Sequence, residues 1–83
     1  MERDAVMVRL RSILEQHFGK SAASLRPEAT LAGALMLDSL DLMDLASLLG
    51  RSLDVTPTVD DFRRARSIEG LVALLVERRR QAA

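Results

Sequence analysis

A chain of 83 residues with no cysteine and a formal net charge of zero is sized for one small domain, residues 1–83, and it excludes disulfide staples and thiolate metal sites. Hydrophobic residues make up 48%, but Phe18 and Phe62 are the only aromatics, so the core must be Leu, Val, Ile, Met and Ala, a mixture suited to helices. No apolar run is long enough to span a membrane, and Glu2 and Asp4 stand where a secretory leader is basic; a cytoplasmic protein is expected.

A first helix is predicted from about Glu2 to Phe18, where Val6, Met7, Leu10, Ile13, Leu14 and Phe18 fall on one side. Gly19 is its predicted stop. His17 falls inside the apolar stripe, in the last turn. As the sole histidine, in a chain without cysteine, it reads as a packed or dipole-facing side chain and not as a ligand or base. Lys20 to Leu37 is a long connection without a sustained period, punctuated by Ser21, Ser24, Pro27, Thr30 and Gly33. Loops of this length in a small domain are functional or held down by their own side chains, and Leu25, Leu31 and Leu35 are the expected anchors.

The second helix is predicted from about Asp38 to Ser52. Asp38 is a good N-cap, and Asp41 three residues later can reach back to it. Ser39 then sits in the first turn, where unpaired N–H groups and the positive end of the helix dipole favour a negatively charged group. Leu42, Leu45, Ala46, Leu49 and Leu53 form the core stripe, while Leu40, Met43, Asp44, Ser47 and Arg51 lie opposite. Leu40 and Met43 beside Asp41 and Asp44 make a mixed apolar and acidic patch next to the serine, which suits a docking face.

Gly50, Pro57 and the Thr56/Thr58 pair end that helix. A short third helix is expected over Val59 to Ala65, capped near Thr58, with Val59 and Phe62 inward; it is too short to stand without packing. Ser67 caps a last helix whose Ile68, Leu71, Val72, Leu75 and Val76 repeat at helical spacing, and Arg78, Arg79 and Arg80 read as its frayed, solvated end. Charge divides the chain in three: residues 1–26 carry +2, residues 27–61 carry −6 and residues 62–83 carry +4. Ser39 lies in the acidic third, towards which a basic partner would be steered.

A helix, a long loop, Asp38-Ser39-Leu40 opening a second helix, a short third and a capped fourth together resemble an acyl carrier protein. The most specific stretch is Leu37 to Leu45, followed by Leu53-Asp54-Val55 to Pro57, Asp60-Asp61-Phe62 and Ser67 to Leu71. The resemblance implies an all-α, small four-helix bundle, three longer helices and one short, with the long loop between the first and second. It further implies that a phosphopantetheinyl transferase moves 4′-phosphopantetheine from coenzyme A onto Ser39, with Asp38 assisting by helping that enzyme position a metal. The arm's thiol would then hold an acyl or related group as a thioester for acyl-loading and acyl-processing enzymes. Leu40, Asp41, Met43, Asp44 and Ser47 would be the docking residues.

The residues themselves agree with a carrier that is not an enzyme. No base lies near Ser39 in sequence except acceptor-only carboxylates, so a partner must activate its oxygen. A monomer with no resident metal, no nucleic-acid partner and no membrane association is expected. Two places depart from the family's pattern. Met36 stands where the family often has glycine, two residues before the aspartate, and the far end of the second helix is Gly50-Arg51-Ser52 instead of strongly acidic. Both favour a specialised fatty-acid- or polyketide-type carrier over a housekeeping one. Three alternatives stay open: an aminoacyl or peptidyl carrier, against which Asp-Ser-Leu leans weakly; an unmodified helical adaptor; and a small DNA-binding domain using Arg63, Arg64 and Arg66, for which concentrated positive charge is wanting.

Overall fold

The computed structural model describes residues 2–82. Four α-helices lie among them: α1, Glu2–Phe18; α2, Ser39–Leu53; α3, Val59–Ala65; and α4, Ile68–Ala82. The helices stand where the periodicity predicts them, and together they make the small all-α bundle that the resemblance implies. None of these helices is long and apolar enough to cross a membrane. α1 packs on α4 and α2, and the short α3 is wedged against α4 and α2.

The core forms where the predicted stripes meet. Leu10 and Leu14 of α1, Leu45 and Leu49 of α2, Phe62 of α3, and Ile68, Leu71 and Leu75 of α4 are all buried. Each such side chain contributes about 1.5–3 kcal/mol by leaving water. α1 ends where Gly19 takes a positive φ of 65°, a conformation glycine adopts without a Cβ penalty, and the Lys20 N–H then folds back to the Leu14 carbonyl at 3.1 Å.

Of the two readings of His17, dipole-facing and packed, the structure has the first: it lies in the last turn of α1. It is exposed, although its angular position belongs to the apolar stripe. A stripe is buried only where another element covers it, and the last turn of α1 faces an open cleft lined by Phe18 and by Asp44, Ser47, Leu48 and Arg51 of α2.

The long connection is held down from Leu25 onward. Leu25, Leu31 and Leu35 are buried as expected, and Ala29 and Leu37 join them. A single 3₁₀ turn, Ala22–Ser24, breaks its first half. Its second half is laced to the α3–α4 junction by three backbone hydrogen bonds: Leu31 N–H to the Arg66 carbonyl (2.8 Å), Ile68 N–H to Ala29 (3.0 Å) and Glu69 N–H to Pro27 (2.8 Å). A loop that borrows hydrogen-bond partners from a distant helix start can be buried without orphaned polar groups. That junction is tight: a Cβ on Gly70 would be driven into the Ala65 carbonyl oxygen.

The C-terminal arginines differ from the sequence reading. Arg79 and Arg80 fall in the last turn of α4, but Arg78 is not a frayed cation. Its guanidinium donates to Asp61 Oδ1 at 3.0 Å, and Asp61 is the one buried charged side chain among the described residues. The same carboxylate closes a reciprocal cap on α3. Asp61 Oδ2 accepts from the Thr58 N–H at 2.9 Å, and the Asp61 N–H donates to Thr58 Oγ1 at 3.1 Å. The Thr58 backbone N–H holds the Asp61 carboxyl below the usual carboxylate range; burial pushes it the other way, and Arg78 adds to the lowering. α3 is thereby pinned both to its own start and to α4.

Candidate functional site

Asp38 to Asp44 build the site from local rules. Asp38 is extended (φ −91°, ψ −177°), and its carboxylate accepts from the Asp41 N–H, while the Asp41 carboxylate accepts from the Asp38 N–H. The two bonds measure 2.9 and 3.2 Å. This reciprocal cap fixes where α2 starts. Ser39 is therefore the first helical residue, and it is exposed. Of the first-turn donors, that of Asp41 is taken by the cap; those of Ser39 and Leu40 have no partner within the helix by its geometry.

A phosphodiester on the Ser39 oxygen fits this place. The side chain faces solvent, the leftover N–H groups and the helix dipole favour negative charge, and no packed neighbour has to move. The adjoining carboxylates of Asp38 and Asp41 oppose a second negative charge, but each already accepts a backbone hydrogen bond.

The surroundings of Ser39 are apolar to an unusual degree for a surface. Met36 is 77% exposed, Leu40 72% and Met43 58%. Among large apolar side chains only Val8 is comparably bare within the described residues, and it lies on α1. Three such groups within one turn either side of a serine differ from the scattered single exposures of ordinary surfaces. The predicted docking residues thus divide. Leu40 and Met43 stand beside Ser39; Asp41 is half-buried and engaged as a cap; Asp44 and Ser47 lie farther along α2, on the rim of the His17 cleft, which has a volume of about 320 Å³.

Sequence reasoning missed a second feature near the site. A cavity of about 240 Å³ opens between the long loop, α2 and α3, lined by Thr30, Leu31, Ala32, Leu42, Phe62, Arg63 and Arg66. Leu42, which lines it, is three residues beyond Ser39 in α2. The spacing of its lining residues, spread over thirty-seven positions, carries no periodic signal. Met36 was legible as a departure from the family's glycine, but its backbone conformation was not: φ is 55°, in the left-handed region.

The family described as "Phosphopantetheine attachment site" matches residues 8–75. The chain is also similar to Acyl carrier protein 2 of Ralstonia nicotianae, with 31% identity over 72 residues that cover 87% of this chain and 89% of that protein.

Proposed function

This chain belongs to the acyl carrier protein family, and from that premise we propose that Ser39 is the residue bearing its prosthetic group. Members of the family are non-catalytic carriers with a covalently attached 4′-phosphopantetheine. That group supplies a thiol on a flexible arm, where cargo is held as a thioester. The observation that carries the assignment is the placement of Ser39: an exposed hydroxyl on the first residue of α2, behind a reciprocal Asp38–Asp41 cap.

The chain's own residues do the positioning. Asp38 and Asp41 hold the start of α2 so that the Ser39 oxygen projects at a fixed place, and Asp38 keeps a carboxylate beside it that assists the phosphopantetheinyl transferase. Leu40, Asp41, Met43, Asp44 and Ser47 form the face on which acyl-handling enzymes dock, apolar at its centre and acidic at its rim. The reading includes a single-domain, monomeric, cytoplasmic carrier, which the cysteine-free composition suits because no competing thiol meets the thioester. Met36 and the Gly50-Arg51-Ser52 end of α2 support a specialised fatty-acid- or polyketide-type pathway with dedicated partners, since an enzyme built for a uniformly acidic helix would find a cation there.

The test is intact mass after incubation with coenzyme A, Mg²⁺ and a phosphopantetheinyl transferase. A gain of one phosphopantetheinyl group that disappears in Ser39→Ala is expected. No gain in the wild-type chain, or one that persists in Ser39→Ala, defeats the assignment and leaves an adaptor acting by contact alone.

A further inference from the structure

Met36 adopts a φ of 55°, a conformation in which any side chain meets resistance that glycine escapes. Two other non-glycine residues among those described share a positive φ, Asp54 and Arg66. Each has a local reason. Asp is among the types that tolerate the left-handed region. Arg66 makes the turn between α3 and α4, and its carbonyl receives the Leu31 N–H. At Met36 the turn is demanded by the neighbours: Leu35 and Leu37 are both buried, and their N–H groups bond to Thr30 and Leu31. Nothing in that arrangement calls for a long apolar side chain at the position between them. The methionine is 77% exposed, so contacts within the chain offset little of its strain.

We propose that Met36 is a recognition anchor for the phosphopantetheinyl transferase, seating in an apolar recess beside that enzyme's active site. The proposal rests on Ser39 being the modified residue. Transfer forms a bond from the Ser39 oxygen to phosphorus and breaks the pyrophosphate P–O bond of coenzyme A. Adenosine 3′,5′-bisphosphate leaves, and the serine proton passes to a base on the transferase. An enzyme doing this must bring its own atoms to the oxygen, and so must cover the residues flanking it, Met36 before and Leu40 after. An enzyme that works on the thiol at the far end of the arm has no such obligation. The same reasoning describes the recess. Asp38, Asp41 and Asp44 alternate with the apolar trio along the chain, so the socket is apolar within and basic at its border.

Steady-state modification of the unmodified chain tests this, using coenzyme A, Mg²⁺ and a transferase that accepts the wild-type protein, with intact mass as readout. Met36→Ala keeps a Cβ in the left-handed position and deletes the thioether. It is expected to raise KM roughly tenfold with kcat little changed, the signature of lost uniform binding from a partly buried methionine. Met36→Leu, which keeps the apolar volume, should recover most of that loss, and melting curves of both variants confirm that they are folded. A Met36→Ala rate equal to wild type overturns the anchor, as does a Met36→Leu loss as large as that of alanine. An effect confined to later acyl transfer, with modification unimpaired, overturns it too. A wild-type chain that takes up no group sinks the Ser39 assignment and the anchor together, whereas a modified wild type with an unaffected Met36→Ala sinks the anchor alone.

Discussion

Replacing Asp61 by alanine removes two interactions that hold α3 in place. The first is the cap bond from the Thr58 N–H, at 2.9 Å; the second is the bond from Arg78, at 3.0 Å. Hydrogen bonds to charged groups are each worth about 1.5–3 kcal/mol. Two corrections reduce the sum. The Arg78 side chain is 33% exposed, so water screens its bond and rehydrates it once it is released, and the variant no longer buries a carboxylate at its desolvation penalty. Arg64 lies 3.8 Å from the same oxygen but is mostly exposed and adds little. A net loss of about 2 kcal/mol is expected, equivalent to a fall in Tm of roughly 10 °C for a domain of this size. Thermal unfolding followed by circular dichroism measures it directly. A double-mutant cycle with Arg78→Ala should give a coupling of about 1 kcal/mol. A loss under about 0.5 kcal/mol for Asp61→Ala, or strictly additive effects with Arg78→Ala, would refute the view that this carboxylate pins α3 to α4. The consequence reaches the carrier site, because α3 supplies Phe62 and Arg63 to the cavity beside α2, and Arg66, which follows it, anchors the long loop.

Two further outcomes follow from the same residues. The Asp61 carboxyl lies below its ordinary value of 3.8 in the folded chain, so its contribution is present above that value and is lost as pH falls through 3.8 towards the folded pKa. Acid titration of stability should therefore show a steeper decline below about pH 5 for the wild type than for Asp61→Ala, and parallel curves would contradict this. Met36→Gly should be more stable than Met36→Ala by at least about 0.5 kcal/mol, since both delete the exposed side chain and only glycine relieves the positive φ; equal melting temperatures would show that the turn carries no strain.

The parts of this protein that were legible in its sequence are those governed by neighbours three and four residues apart. Asp38 and Asp41 specify the start of α2 because a capping bond spans three residues, and that local rule alone sets Ser39 on the first turn with its hydroxyl outward. The leucine stripe of α2 likewise predicted which side would be buried, and Leu42, Leu45, Leu49 and Leu53 are. Even the Thr58–Asp61 cap was present in the spacing, although only its threonine was recognised. Tertiary structure decided the rest. Whether His17 is covered depends on where α2 crosses α1, which the apolar stripe of one helix cannot specify. Asp61 and Arg78 are seventeen positions apart and meet only because α3 folds back on α4. Met36 acquires its left-handed turn because the leucines on both sides of it must enter a core assembled from distant segments. Short-range hydrogen bonds and helical periodicity are written in consecutive residues. Burial of a given side chain, and the backbone strain accepted to achieve it, depend on partners that only the assembled bundle brings within reach.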